Sequence, residues 1–267
     1  RIPFKCEFFA NKIKKALFMG CSILILGGGF AGLYAARNIQ RLMGKTVDIE
    51  IVNRENYFVF QPLLPEVAGG AISAVNAVSP LRFLTHDISM RKAEIDSIDP
   101  TAQTVTVFQG VQRRPTVLSY DHLIIALGSG SDLSRMPGLN EHAFTMKTLS
   151  DARRLRAHVI ERLEHADITR LPEVKKGALT FTVIGGGFSG IETVGEIKEL
   201  IDRSLCYYPN IQSSEIRVVV LEFADRILNE MSESLAGYAQ KNLIERGIEI
   251  QLGVGVAKCT GTQLVTT

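Results

Sequence analysis

One pattern, present twice, restricts what this chain can fold into. Ile23–Leu26 is a short apolar run, followed by Gly27, Gly29 and Gly32 in the spacing G-x-G-x-x-G. Leu33, Ala35, Ala36 and Ile39 then continue at helical spacing. An apolar run of this length closed by glycines reads as a strand buried on both faces. The first glycine allows a tight turn, the second lets backbone approach a pyrophosphate, and the third lets helix and strand pack closely. The helix then presents its free N–H groups and positive dipole end to the phosphates. The pattern returns 158 residues later (185 − 27 = 158), with Thr180–Ile184, then Gly185, Gly187 and Gly190, then Ile191, Val194 and Ile197. One fingerprint is a weak signal, but two in the required strand–turn–helix context predict two dinucleotide sites.

The strand after each fingerprint should end on an acidic group for the ribose hydroxyls, about 20 residues past the glycines. Val47–Val52 reads as that strand in the first copy, and the position 21 residues past Gly32 (53 − 32 = 21) is Asn53. An amide can bond a hydroxyl, without the charge-assisted strength of a carboxylate. Asp48 and Glu50 precede the strand end and read as its solvent face. In the second copy Ile216–Leu221 ends at Glu222, followed by Phe223 and Ala224 rather than arginines. That favours NAD over NADP, whose extra phosphate wants a cation.

A length of 267 residues allows one large or two ordinary domains, and 46% hydrophobic with 22% charged residues marks a globular chain. The net charge of +2 gives no reason to expect nucleic acid. No stretch approaches the roughly 18 uninterrupted apolar residues of a membrane span. The four cysteines, Cys6, Cys21, Cys206 and Cys259, form no C-x-x-C or other tight pair. Neither a metal site nor a redox dithiol is indicated, and a reduced cytosolic chain is the expectation. Residues 1–18 carry Arg1, Lys5, Lys12, Lys14 and Lys15 but no continuous apolar core of a signal peptide. With Met19 just ahead of the first strand, they are expected to be upstream sequence or a disordered leader.

Between the fingerprints, 57–70 is aromatic and proline-punctuated where a loop is expected. It is either a buried connection capped by a proline turn or a wall against a flat cofactor ring. Residues 75–84 read as a short connection and helix. Ala93–Ile98 and Thr104–Phe108 read as strands joined by a turn at Asp99-Pro100-Thr101. Residues 117–120 lead into another buried strand, Leu123–Ala126, ending at Gly128. Ser150 is the expected N-cap of a helix whose apolar face is Ala152, Leu155, Val159 and Leu163. Arg153, Arg154, Arg156 and Arg162 read as its solvated face, and 171–177 as a polar linker. The second fingerprint helix is expected to run from Ser189 to about Tyr208. Ser232 should cap a further helix that stops at Gly247, before a strand at Ile248–Leu252.

Four segments together carry a family resemblance: Gly27–Gly32; the loop Phe60-Gln61-Pro62-Leu63-Leu64-Pro65-Glu66-Val67-Ala68; 120–129, Tyr-Asp-His-Leu-Ile-Ile-Ala-Leu-Gly-Ser; and 185–192, Gly-Gly-Gly-Phe-Ser-Gly-Ile-Glu. Over residues 19–267 the chain resembles type II NADH dehydrogenases, the non-proton-pumping NADH:quinone oxidoreductases among two-dinucleotide-domain flavoproteins. The proline-rich loop is the most specific part of the likeness. The resemblance implies an α/β protein of two Rossmann-like three-layer domains, the second inserted in the first. It would place an FAD-binding domain at 19–148, a connecting helix and linker at 149–177, and an NADH-binding domain at 178–267.

The resemblance also implies the site. Gly27, Gly29 and Gly32 would hold the FAD pyrophosphate, with Phe30, Ala31, Asn53, Arg54 and Ile95 around the same cofactor. Pro62, Leu63 and Leu64 would lie by the isoalloxazine, and Ala126 and Gly128 would close the FAD site. Gly185, Gly187, Phe188, Ser189 and Gly190 would hold the NADH pyrophosphate, and Glu222 its adenosine ribose. Glu192 would sit near nicotinamide and flavin in an electrostatic or proton-relay role; otherwise it is a first-turn glutamate favoured by the helix dipole. The partners implied are a quinone and, for the full-length protein, the inner face of the cell membrane. A homodimer is compatible with it; a metal and nucleic acid are not expected. Family members continue well past position 267, so the chain is expected to be a fragment lacking the second flavin contact, the quinone pocket and the membrane-anchoring helices. The rivals are a related flavoprotein, such as a sulfide:quinone or other NAD(P)H reductase, and a non-catalytic nucleotide-binding module. Disulfide reductases would need a cysteine pair after the first fingerprint helix, and none exists.

Overall fold

A computed structural model describes residues 20–134 and 136–267, so the expected leader at 1–18 lies outside the described residues. In chain order the elements are β1 (Cys21–Leu26), α1 (Phe30–Met43), β2 (Val47–Asn53), β3 (Tyr57–Val59), α2 (Leu64–Gly69), β4 (Val78–Pro80), α3 (Leu81–Leu84), β5 (Ser89–Asp99), β6 (Thr104–Gln109), β7 (Arg114–Ser119) and β8 (His122–Ile125). There follow α4 (Leu139–His142), α5 (Leu149–Ile168), α6 (Pro172–Ala178), β9 (Thr180–Ile184), α7 (Phe188–Ser204), β10 (Arg217–Glu222), α8 (Glu233–Glu245), β11 (Ile248–Leu252), β12 (Val256–Cys259) and β13 (Leu264–Thr266). They divide into two units: residues up to Val59 with Val78–Ser129, and Phe60–Ala77 with Gly130–Thr267.

The first unit is a six-stranded sheet in the order β7-β6-β5-β2-β1-β8. β8, β1, β2 and the start of β5 run parallel; β5, β6 and β7 form an antiparallel meander. β5 serves both halves: Ser89–Lys92 pairs with β2 and Ala93–Asp99 with β6. The apolar residues of β1 and β2 split by strand alternation between the faces. Ile25, Ile49 and Ile51 pack with Ala36 of α1, while Leu24, Leu26 and Val52 pack with Val105 and Val107 of the meander.

The second unit carries three parallel strands in the order β11-β10-β9. β10 is central, and Val218 to Leu221 are all buried. Val218 and Val220 face the core built from α5, α7 and α8; Val219 and Leu221 pack against Val256. Both units are thus mixed α/β and Rossmann-like.

Several local expectations change. The run at 123–126 is not a buried strand: among the described residues β8 pairs only with β1, and its Ile125 is 62% exposed. Asp121 ties its start to β1 by accepting the Ser22 N–H at 2.7 Å and hydroxyl at 2.9 Å, bonds that hold its carboxyl below the usual range. The expected linker at 171–177 is helix α6, with Pro172 in its first turn, Glu173 near its start, and Lys175 and Lys176 near its end. That charge order suits the helix dipole. Residues 75–84 contain strand β4 as well as α3, and the expected loop at 57–70 contains β3 and α2. α7 ends at Ser204 and passes into a 3-10 turn at Leu205–Tyr207. Ser232 stands at the N-cap of α8, but its hydroxyl lies 3.3 Å from that of Ser234 and caps no backbone N–H.

The α5 cap is Thr148, not Ser150. Its Oγ accepts the Asp151 N–H at 3.1 Å, while the Asp151 carboxylate accepts the Thr148 N–H at 2.9 Å. This reciprocal box satisfies two donors that Ser150, already inside the helix, cannot serve. Thr148→Ala is expected to cost about 1 kcal/mol, and Thr148→Ser to restore most of it, in urea unfolding.

Candidate functional site

In the first unit β1 lies between β2 and β8, so the strand order reverses there. Ligands of open α/β sheets bind at the carboxyl ends of the strands beside such a reversal. The Gly27–Gly32 loop leaves β1 at that end. The Gly27 N–H donates to the Val52 carbonyl at 2.8 Å, and a φ of +106° with the Ala126 carbonyl alongside leaves no room for a side chain. Gly32 lies against the Gly27 carbonyl, which brings α1 onto the strand end. At Gly29, by contrast, an added Cβ would meet nothing within 4 Å. Gly29 is also the N-cap of α1, with no side-chain cap and no acidic residue in the first turn. The loop therefore leaves an open, uncapped helix N-terminus, the setting that suits a pyrophosphate.

The second unit repeats this wiring. The Gly185 N–H donates to the Leu221 carbonyl at 2.8 Å, Gly190 lies against the Gly185 carbonyl, and Gly187 is open at the uncapped start of α7. The residue ending the next strand grips the loop in both units. Asn53 Oδ1 accepts the Gly28 N–H at 2.9 Å, and its Nδ2 donates to the Glu55 carbonyl at 2.9 Å. Glu222 accepts the Gly186 N–H on Oε2 at 2.5 Å and the Ala224 N–H on Oε1 at 2.7 Å. Asn53 thus replaces an acid in the loop-holding role without leaving that role empty.

Sequence reasoning missed the middle glycines. A Cβ at Gly28 would meet Leu81 Cδ1 at 2.6 Å, and one at Gly186 would meet Ile227 Cγ2 at 2.8 Å. The signal was present: both loops read Gly-Gly-Gly, although the fingerprint needs only the first and third of these.

Of the other expected residues, Ala126 donates its N–H to the Leu26 carbonyl at 2.8 Å and lies beside Gly27. Phe30 meets the Phe58 ring edge-on at 4.9 Å. Ala31, Arg54 and Gly128 are exposed, as are Phe188 and Ser189 in the first turn of α7. Ile95 sits in the sheet, packed on the cluster of Leu26, Val105 and Val107. Pro62, Leu63 and Leu64 belong to the second unit at the start of α2, where Pro62 is exposed and Leu64 buried.

Glu192 is not in the first turn of α7, which begins at Phe188 and holds no acid there. The helix dipole therefore does not account for it. Its residue is exposed, but partial desolvation of the carboxyl, followed by the charge of Glu66, raises its affinity for a proton above the ordinary. Glu66 comes from α2, which lies on α7: Gly69 packs against the Glu196 side chain, and Arg203 Nη2 donates to the Gly69 carbonyl at 2.8 Å. Glu66, Glu192, Glu196 and Arg246 line a cavity of about 580 Å³ within this unit. Sequence reasoning overlooked Glu66 and Glu196.

Among curated proteins, the chain is 32% identical over 246 residues to the external alternative NAD(P)H-ubiquinone oxidoreductase B2 of Arabidopsis thaliana mitochondria, covering 88% of this chain and 42% of that protein. It is 34% identical over 240 residues to the type II NADH:quinone oxidoreductase Ndh of Mycobacterium tuberculosis, covering 88% and 50%. The chain thus spans about half the length of the curated relatives it matches. Its fold matches the structure of NDH2 from Plasmodium falciparum in complex with NADH with a TM-score of 0.85 at 23% identity, over 91% of this chain and 50% of that one. The family model described as pyridine nucleotide-disulphide oxidoreductase matches residues 21–267, which takes in both glycine loops and every strand, and the chain belongs to that family.

Proposed function

We propose that this chain is the FAD- and NADH-binding part of a type II NADH:quinone oxidoreductase, with the FAD domain at 19–148, a connection at 149–177 and the NADH domain at 178–267. The observation that carries this reading is the duplicated loop wiring: in each unit an open glycine at a helix N-terminus, and a strand-end side chain holding the middle glycine N–H. The 32% and 34% identities to NAD(P)H-ubiquinone and NADH:quinone oxidoreductases support it.

The residues present suit the two cofactors. Both helix starts lack a cap and a competing acid, so their N–H groups can take a pyrophosphate. The chemistry FAD supplies when bound is two-electron transfer from NADH to an acceptor, which we assign as a quinone. The chain's own part is to hold each dinucleotide by its backbone and to set the charge nearby. Glu192, carrying a proton more readily than an ordinary carboxyl, suits an electrostatic or proton-relay role there. In the full-length protein the acceptor would be met at the inner face of the cell membrane; among the described residues no helix is long and apolar enough to cross one.

The test is the visible absorption spectrum of the purified chain, before and after anaerobic NADH. Flavin bands that bleach with NADH support the reading. A colourless chain that still binds NADH would assign the activity to a longer parent. Specificity gives a second expectation. On this reading the Glu222 carboxylate would face the adenosine ribose and repel a 2′-phosphate, and neighbouring Phe223, 79% exposed, offers no cation to hold one. Glu222→Gln is expected to narrow the preference for NADH over NADPH by about tenfold, about 1.4 kcal/mol, in comparative binding titrations.

A further inference from the structure

The side chains that end β2 and β10 hold matching loops through opposite chemistry. Asn53 and Glu222 each accept the N–H of a middle glycine, Gly28 or Gly186. Each makes a second bond to the backbone two residues further on, and there the polarity reverses. In the second unit that backbone offers a donor: the Ala224 N–H bonds Glu222 Oε1 at 2.7 Å. In the first unit it offers an acceptor: the Glu55 carbonyl takes a hydrogen from Asn53 Nδ2 at 2.9 Å.

This contrast decides which side chain each loop can use. A carboxylate has only acceptors, whereas an amide has an acceptor end and a donor end. Glu222, between two N–H groups, needs the former; Asn53, between an N–H and a carbonyl, needs the latter. A carboxylate at 53 would set an oxygen against the Glu55 carbonyl, and turning it over changes nothing because its two ends are alike. The fit is close: a Cβ on Gly28 would meet Asn53 Cγ at 3.1 Å and Cβ at 3.2 Å.

The charges nearby favour an acid instead. Arg54 follows Asn53 and Lys92 stands opposite it in the β2–β5 register, both exposed, with Glu55 as an opposing acid. Water screens charge pairs between exposed side chains. The two Asn53 bonds are partly buried, where an unmade bond costs more.

We propose that Asn53 is a positioning residue for the first dinucleotide site and that its amide is required: the Glu55 carbonyl excludes the acid that the fingerprint calls for. Through Nδ2 and Oδ1 the amide ties the Glu55 turn to the loop whose N–H groups meet the pyrophosphate. The adenosine ribose would then meet an uncharged group with one hydrogen and one lone pair to spare, where Glu222 presents acceptors only. The ribose contact rests on the FAD assignment above; the exclusion of the acid does not.

Asn53→Asp tests this, read in two ways beside Asn53→Ala. At about pH 7 the Asp variant is expected to bind FAD about tenfold more weakly than the unaltered chain. A ribose site merely short of its acid would bind more tightly instead. In urea unfolding the Asp variant should be less stable than the unaltered chain at about pH 7.5 and recover relative to it as pH falls toward about 5. Facing a carbonyl disfavours the ionised form, so the introduced carboxyl keeps its proton above the ordinary carboxylate range in the folded chain. Protonated, it donates to the Glu55 carbonyl; that stability is present below the ordinary range and is lost as pH rises through the raised value. The Ala variant lacks both bonds, and its deficit should stay flat with pH. An Asp variant that binds FAD as tightly as the unaltered chain overturns the proposal, as does one equally stable or one whose deficit is as flat with pH as that of the Ala variant. If neither the unaltered chain nor the variants take up FAD, the assignment of the first site fails, and the urea comparison still decides the role of the amide.

Discussion

A Gly190→Val chain is expected to lose NADH affinity by at least about a hundredfold, equivalent to about 2.8 kcal/mol. Gly190 lies against the Gly185 carbonyl, so any Cβ would collide with backbone rather than with a side chain that can swing away. Relief requires moving α7 off the end of β9. Overpacking of this kind costs about 1–3 kcal/mol in stability. It also tilts the N–H groups of Gly187 and its successors away from the pyrophosphate, the geometry on which an anion site at a helix start depends. NADH fluorescence titration measures the affinity, and circular dichroism confirms that the chain is folded. Flavin absorption should survive, because Gly190 belongs to the second unit and the FAD loop to the first. Unchanged NADH affinity would mean that Gly185–Gly190 is a structural turn and not a nucleotide site.

Ile51→Ala is expected to destabilise the chain by about 2–5 kcal/mol. Ile51 is fully buried on β2, packed with Ile25, Ile49 and Ala36 between the sheet and α1. β2 is hydrogen-bonded on both sides, to β1 and β5, so its backbone cannot shift to fill the space left by a lost side chain. The cost therefore includes a residual cavity as well as the lost apolar transfer. Ile51→Val, which removes one methylene, should cost only about 0.5–1.5 kcal/mol. Urea unfolding read by circular dichroism gives both values. The larger loss should weaken flavin binding as well, because Asn53, two residues on, grips the Gly28 N–H.

The glycine loops and the strands that precede them were legible because their physics is local. A turn with φ near +100° and a helix start without a cap are written in consecutive residues, at 27–32 and again at 185–190. Asn53 and Glu222 were found by their distance from the glycines, but their bonds to Gly28 and Gly186 were not. That contact depends on how β1 sits beside β2, and β9 beside β10. α6 was hidden because a proline and several charges resemble a linker, although proline in a first helical turn forfeits no bond. β8 was misread because an apolar run records the tendency to be buried, not whether a strand lies on both sides.

By itself the sequence determined that the chain builds two dinucleotide loops of one design and that the second carries an acid where the first carries an amide. Spacing along the backbone sets these features, and spacing survives without tertiary information. Tertiary structure alone decided which residues meet across long separations. Glu66 and Glu196 stand 130 positions apart (196 − 66 = 130), in segments whose patterns say nothing of each other. Only the packing of α2 on α7, tight enough at Gly69 to exclude a methyl group, brings two carboxyls with no donor into one seam.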